Sequence, residues 1–349
     1  MSRYFIRRVL WLIPVLFSVT LITFIIMHAT PGGPWDTDPG SRTNDPRMQE
    51  RLNRQFGLDL PLYLNPQGAQ EVLNSGGNPA DAFGAFFNAQ FPIYLSNLLR
   101  GDLGPSYRYR GMSVNDVLFE PSDATKPFWQ SRFGTTVMLG IIAMTFALAI
   151  GFPLGLLAGL KQNTIIDNLS LFVATAFYGI PTFVTGIFFL IIFAVWLGWI
   201  RVLEIDHWQN WQAWLLPALT LSIGTAAYVA RLTRSSVIET MRQDYVRTAR
   251  AKGLSERAVV FRHILRNALI PVITFIGPAL ATLVTGSFII ETQFSVSGIG
   301  RLFVESISRR DYSVILALTL IYAFLVAFAN LVVDLVYGFL DPRIKVGGG

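Results

Sequence analysis

An all-α polytopic membrane protein with six transmembrane helices is the fold class this sequence predicts, and three observations predict it. Charge is scarce: 14% of the 349 residues are charged and 52% are hydrophobic, where a soluble domain carries about 25% charge. The mean hydropathy is +0.47. Six apolar runs of 17 to 31 residues meet the roughly 20 residues, about 17 at the least, that a helix needs to cross a bilayer. The basic residues gather on alternate loops, which puts both termini in the cytoplasm. The formal net charge of +6 follows those loops and is no signal for nucleic acid. The absence of cysteine excludes disulfides, thiolate metal sites and Cys nucleophiles. His28, His207 and His263 are far apart, with no carboxylate at ligand spacing, so no metal site is expected.

The first run, Val9 to Ala29, follows Arg3, Arg7 and Arg8, which hold the N-terminus inside. A cleaved signal peptide is the rival reading. Its apolar region would span about 7–15 residues before an A-x-A-like site, and Met27-His28-Ala29 fits that poorly, so an uncleaved helix is expected. Thr30 to Arg132 is then a long polar segment outside the membrane. PGGP at Pro31 to Pro34 breaks the helix. Asp45-Pro46 reads as an N-cap with Pro at the first helical position. Met48, Leu52 and Phe56 follow at helical spacing until Gly57 stops the run. RGDLGPS, Arg100 to Ser106, is a second landmark. Asn65 to Gln90 and Phe119 to Gln130 have turn-rich composition and read as irregular surface excursions.

Five further runs are Thr135 to Leu160, Leu169 to Trp199, Trp214 to Ala230, Leu269 to Ile290 and Tyr312 to Leu340. Pro153, Pro181, Pro217 and Pro278 sit in or near them. Neighbouring helices can satisfy the carbonyls a proline frees, so each reads as a local kink or as a bend that shapes a pathway. Thr175, Tyr178 and Thr182 around Pro181 suit either pathway lining or helix packing. The inside segments hold Lys161, the basic residues from Arg231 to Arg266, Arg343 and Lys345. The short outside loops balance Arg201 against Glu204 and Asp206, and Arg301, Arg309 and Arg310 against Glu291, Glu305 and Asp311. Trp196, Trp199, Trp208, Trp211 and Trp214 cluster as an interfacial belt would. Glu291, at the outer end of the fifth span, reads first as a solvated helix end. Asn330 and Asp334 are polar groups inside the last span, where such groups are functional candidates. A contact with the basic block accounts for Asp334 equally well.

The stretch that organises the chain is the polar block Ser235 to Asn267. It carries Arg242, Arg247, Arg250, Lys252, Arg257, Arg262 and Arg266 against Glu239, Asp244 and Glu256. Val237, Met241, Tyr245 and Thr248/Ala249 recur on one helical face. Glu239–Arg242 and Asp244–Arg247 are i, i+3 pairs. Arg250 and Lys252 suit the negative end of the helix dipole, and Gly253 suits the residue after a helix end. Ser255 can cap a second helix, with Leu254 and Val259 as a hydrophobic staple. The block therefore predicts helix, tight corner, helix. A basic amphipathic helix can lie on anionic lipid, but a Gly-centred knob suits a protein groove better.

With these residues the chain resembles the permease subunits of binding-protein-dependent ABC importers of the dipeptide/oligopeptide/nickel class. Their "EAA" loop, EAA-x-x-x-G, docks on an ATPase. Here Arg247-Thr248-Ala249 stand in the place of EAA and Gly253 in the place of the Gly, and DYVRTARAKGL is similar to the peptide-class variant. GFPLGLLAGLK, PALTLS with RLTRSS, RNALIPVIT, ETQFSVSGIG and LVVDLVYGFLDPR resemble further landmarks in the same order. Ser297 stands where that pattern often has Pro, and the segment between the first two spans is longer than usual.

The resemblance implies a type I importer permease architecture in a prokaryotic inner membrane. Residues 1–30 would be the N-terminal tail and first helix, 31–133 an extracytoplasmic segment, 134–341 a five-helix core with a coupling loop at about 235–267, and 342–349 a C-terminal tail. It implies a heterodimer with a second homologous permease, two ATP-binding subunits, an extracytoplasmic solute-binding protein and a lipid surround. Its function would be to form half of the pathway for di- or oligopeptides, with nickel or oligosaccharides as alternative cargo. Asp244, Tyr245, Arg247, Thr248, Ala249, Arg250, Lys252 and Gly253 would meet the ATPase. Glu291, Phe294 and Gly298 would form an outer gate, and Tyr178, Pro181 and Thr182 are pathway candidates. No catalytic or cofactor residue is expected, ATP being bound by partner subunits; G-x-x-x-x-G-K-[ST] does not occur. A membrane-embedded enzyme would need paired carboxylates, a Ser–His arrangement or a metal set within the spans. A stand-alone secondary transporter or channel would show internal repeats or several buried charges.

Overall fold

Apolar runs in a bilayer must satisfy their own backbone groups, and helices do so within one segment. The computed structural model describes residues 2–35, 45–123, 125–199, 208–285 and 287–340, with the side chains of 2–5 and 333–340 excepted. Among the described residues there is no strand, only an isolated bridge between Pro105 and Ser113. Arg201, Glu204, Asp206, His207, Asp341, Arg343 and Lys345, and the side chains of Arg3 and Asp334, lie outside what is described. Among the described residues five helices are long and apolar enough to cross a membrane, or six when one bent pair counts as a single span. The chain divides into two compact units.

One unit comprises Ile13–Arg132 and Leu302–Ala323. It contains most of α1 (Ser2–Ala29), then α2 (Pro46–Phe56), α3 (Pro66–Asn74), α4 (Pro79–Phe86), α5 (Gln90–Leu99) and α6 (Val114–Phe119). Asp45 caps α2 as its sequence predicts, accepting from the Arg47 amide, and Gly57 ends it at φ 68°. The irregular reading of Asn65 to Gln90 is corrected. It holds α3 and α4, each opened by an Asn-Pro pair, and the Asn65 side chain accepts from the Gly68 amide. The turn-rich composition marks the closely spaced ends of two short helices. The core gathers Phe24, Met27, Phe91, Tyr312 and Leu316. At its edge the buried Asp311 accepts from Ser106 Oγ at 2.5 Å and from the amides of Tyr107 and Arg108 at 3.2 Å. The RGDLGPS landmark thus ends, at Ser106, in a turn whose next residues close on a carboxylate.

The second unit comprises Phe133–Arg301 with the two chain ends. Here α7 (Arg132–Leu160) packs beside α10 (Leu215–Met241). Gly151, Gly155 and Gly159 recur every four residues on one face of α7. A Cβ at Gly151 or Gly155 would collide with the carbonyl of Ala226 or Ala230, and one at Gly159 would press on Val237. Without apolar drive between helices in lipid, such small residues let backbones approach and gain dispersion contact. Between them α8 (Ile165–Gly179) and α9 (Thr182–Phe189) correct a second expectation. Leu169 to Trp199 is no continuous span: α8 and the helix that follows meet at 103° across Ile180 and Pro181. Proline cannot donate to the previous turn and biases the residue before it to extended backbone; Ile180 sits at ψ 128°. Pro153 and Pro278, by contrast, lie inside unbroken helices.

Beyond α10 come α11 (Asp244–Ala251), α12 (Glu256–Val259), α13 (Leu265–Thr285) and α14 (Phe288–Gln293), followed by α15 (Ile299–Arg309) and α16 (Tyr312–Leu340). The core of this unit joins Leu139, Ala143, Leu216, Leu221, Leu283 and Ile290. Trp208 and Trp214 belong to it in part. Trp214 is buried, and Trp208 donates to Thr135 Oγ1 at 3.1 Å. Trp196, Trp199 and Trp211 are the exposed members of the expected belt.

Replacing Gly155 by Leu is expected to separate α7 from α10 at a cost of about 1–3 kcal/mol or more. The midpoint of thermal unfolding in detergent should fall well below that of Gly179→Leu, where a Cβ meets nothing within 4 Å. Equal midpoints for the two variants would dismiss the close approach as a stabilising contact.

Candidate functional site: the basic helix–corner–helix

The block beyond α10 does not run on as one helix. Gln243 has extended backbone at φ −72°, ψ 146°, and α11 begins afresh at Asp244. The inward face therefore shifts. It is Val246 and Ala249, not Tyr245, that are buried, in a cluster with Val237, Val259, Ile264 and Ala268. Leu156 and Leu160 of α7 pack against the same cluster. The expected continuous face fails because the break at Gln243 resets the helical phase.

The corner closes as its residues dictate. The Gly253 amide donates to the Arg250 carbonyl at 2.9 Å and the Leu254 amide to the Ala249 carbonyl at 3.4 Å, the paired bonds of a Schellman end. Gly253 has φ +75° and open space around it. Ser255 caps α12, its hydroxyl accepting from the Ala258 amide. Across the corner the Arg250 guanidinium donates to Glu256 at 2.9 and 3.3 Å. Both side chains are exposed, so the pair adds about 0–1 kcal/mol and mainly fixes the angle. Asn267 Nδ2 donates to the Tyr245 hydroxyl at 2.6 Å and ties the two arms together.

What results is a knob. Asp244, Tyr245, Arg247, Thr248, Arg250, Lys252 and Gly253 are exposed, and every residue from Arg250 to Arg257 is open. Arg242, Lys252 and Arg257 have no carboxylate partner among the described residues. Ala249 alone of the candidate set faces inward, buried in one cluster with Val246.

The knob is mounted on a buried ion pair that spacing rules do not reveal, since its partners lie 67 residues apart. Asp167, fully buried at the start of α8, accepts from Arg234 at 2.5 and 2.8 Å and from the Asn163 amide at 2.8 Å. Arg234 lies one turn before Val237, so the pair holds α8 to the end of α10 that carries the knob.

Glu291 is no solvated helix end. It is fully buried, with Thr136 and Ser287 hydroxyls on Oε1 at 2.8 and 2.6 Å and the Arg301 amide on Oε2 at 3.0 Å. Thr136 Oγ1 in turn accepts from the Ile299 amide at 2.9 Å. Burial pushes this carboxyl above the ordinary range, and the two hydroxyls and the Arg301 and Gly300 amides pull against it. Any Cβ at Gly298 would strike Thr136 Oγ1 and Glu291. Phe294 is buried beside them. Glu291, Phe294 and Gly298 are thus brought together, as a packed junction between α14 and the start of α15. Tyr178, Pro181 and Thr182 also come together, exposed at the bend between α8 and α9.

Comparison with known proteins assigns the chain as a whole to a family. The family described as "Binding-protein-dependent transport system inner membrane component" matches residues 151–346. The oligopeptide transport system permease protein OppB of Haemophilus influenzae is 33% identical over 99% of this chain and 100% of its own. The glutathione transport system permease protein GsiC of Shigella flexneri is 36% identical over 99% of both chains. The dipeptide transport system permease protein DppB of Bacillus subtilis is 35% identical over the same shares. Among solved structures, an amino acid ABC transporter covers 62% of this chain and 94% of its own, with a TM-score of 0.48 and 17% identity. The MetNI methionine ABC transporter, inward facing, covers 58% and 93%, with a TM-score of 0.43 and 20% identity.

Glu291→Ala would remove the acceptor of the buried Thr136 hydroxyl and of the part-buried Arg301 amide, and would leave Ser287 only the Val284 carbonyl at 3.0 Å; each buried donor left unsatisfied costs about 1–3 kcal/mol. Thermal unfolding in detergent should show a large loss for this variant and a smaller one for Glu291→Gln, which keeps one oxygen. Should both match the parent, the junction contributes nothing.

Proposed function

The chain belongs to the family of binding-protein-dependent transport system inner membrane components, and from that premise we propose that it forms half of the translocation pathway for short peptides in an ATP-driven importer. The observation that carries the reading is the exposed basic knob at Asp244 to Arg257, closed by the Schellman end at Gly253 and backed by a buried apolar cluster. An exposed, rigid, convex corner is shaped to enter a groove on another protein.

In this reading both termini and the knob are cytoplasmic, and residues 31–133 face the other side. Two ATP-binding subunits bind below, one seated on this knob. A second, homologous permease carries the other knob, and a solute-binding protein delivers peptide to the outer face. The partners bind and hydrolyse ATP; this chain converts their closure into movement of its helices. Force entering at Arg247, Arg250 and Lys252 reaches α7 through Leu156 and Leu160, and α8 through the Asp167–Arg234 pair. Full-length similarity to permeases named for oligopeptide, dipeptide and glutathione transport supports peptides as cargo.

Purification of the tagged chain in mild detergent, with partners identified by mass spectrometry, is expected to recover a second permease and ATP-binding subunits. Gly253→Arg, which strains a left-handed backbone and projects a long side chain from the knob, should lose the ATP-binding subunits and keep the permease partner. Recovery of the chain alone, or as a homo-oligomer, would falsify the importer reading.

A further inference from the structure

Among the candidate spans α10 belongs to the most buried, with 67% of its most apolar window enclosed against at most 39% for the others. Yet it carries an open stripe. Between Leu215 and Ile238 only Tyr228 and Ser235 are exposed, and Arg231 stands between them at spacings of three and four, on the same face. The Tyr228 ring lies against Phe275 of α13, with centroids 4.3 Å apart. The Arg231 guanidinium carbon sits 4.3 Å over the ring of Tyr178, a side chain 54% exposed at the bend before Pro181. Arg231 has no hydrogen bond or carboxylate partner among the described residues. Three residues on, Arg234 receives both oxygens of Asp167. The fold thus neutralises one arginine of this helix and leaves its neighbour to an aromatic face.

Arg231 follows directly on the apolar run that ends at Ala230, and an ionised side chain at the edge of a span is kept where it meets a counter-charge or a water-filled path. One ring offers about 0.5–2 kcal/mol and no compensating charge. Among the described residues no anion answers Arg231, and the exposed Tyr228 and Ser235 on either side leave an approach to it open. The planar guanidinium fork matches a carboxylate with two parallel hydrogen bonds. A permease that handles peptides of varied sequence needs a group all of them share, and the C-terminal carboxylate is one.

We propose that Arg231, presented on the Tyr178 ring, is a station for the C-terminal carboxylate of the peptide in transit. The inference rests on the peptide-importer reading above. It gives a specific task to Tyr178 and to Arg231, the first residue of RLTRSS.

The test uses inverted-free membrane vesicles holding the complete transporter with its own binding protein, and compares uptake of trialanine with that of trialanine amide. Because the binding protein is unchanged between strains, a change in the acid-to-amide ratio reports on the permease. Arg231→Gln should lower trialanine uptake about tenfold, the scale of one lost charge-assisted contact, and leave the amide nearly unchanged. Arg231→Lys should recover part of the loss. Tyr178→Leu should shift the ratio in the same direction and Tyr178→Phe should not, so the Tyr178 variants decide the matter if Arg231→Gln fails to assemble. An equal fall for both peptides, or unchanged trialanine uptake in Arg231→Gln, overturns the station. So does an unchanged ratio accompanied by loss of co-purifying anionic phospholipid, which would assign the guanidinium to a lipid headgroup. Wild-type vesicles that take up neither peptide overturn the peptide reading itself and the station with it.

Discussion

Three buried acids sit where the chain changes direction, and much of the architecture depends on how they are satisfied. Asp167 follows the turn between α7 and α8, Glu291 precedes the loop into α15, and Asp311 stands between α15 and α16. Each is at most 1% exposed. An unpaired carboxylate in such a place would cost several kcal/mol. Each is instead ringed by donors: Arg234 and an amide for Asp167, two hydroxyls and an amide for Glu291, a hydroxyl and amides for Asp311. For each acid at least one donor comes from a distant part of the sequence. Each acid therefore converts a turn, the least constrained part of a helical chain, into a fixed joint. Helix packing in lipid has no hydrophobic drive, so such joints do work that a soluble core would do by burial.

α10 shows two demands on one helix. Against α7 it offers carbonyls to a row of glycines, and the two backbones close up. On another face Tyr228 and Ser235 are exposed, with Arg231 half-buried between them. Those demands are compatible because a helix separates its faces by residue spacing alone. Packing fixes the rotation of α10, and that rotation decides which side chains are left open.

The spans, their order and the helix–corner–helix were legible because hydrophobic length, Gly253 and Ser255 are local signals. The three joints were not. Asp167 and Arg234 lie 67 residues apart, and Thr136 and Glu291 lie 155 apart; no periodicity links them. Glu291 looked solvated because a carboxylate at the end of an apolar run usually is. Its identity as a buried acceptor becomes readable only with Thr136, Ser287 and Gly298 around it. The break at Pro181 was half legible: the proline was visible, but 103° depends on which neighbours take up the freed carbonyls. The reset at Gln243 misled the face assignment, since a periodic pattern cannot show a non-helical residue that leaves hydrophobic spacing nearly intact.

The contrast between joints and knob bears on how motion would pass through this chain. Lattices of buried hydrogen bonds and tight glycine contacts have discrete arrangements and resist small deformation. The knob has the opposite character: charged, exposed, and joined to the rest by one apolar cluster, by the ends of α10 and α13, and by the Asn267–Tyr245 bond. A push on it cannot dissipate locally, because Val246, Ala249 and Val259 are packed on Leu156, Leu160 and Val237. It must move α7 and α10 together, their glycine contact keeping them in step, while Asp167 draws the start of α8 after Arg234. The first soft point on that route is the bend at Ile180 and Pro181, where no helical hydrogen bond need be broken for the angle to change. Tyr178, on which Arg231 rests, stands at that bend, so displacement of the knob would change the setting of the guanidinium.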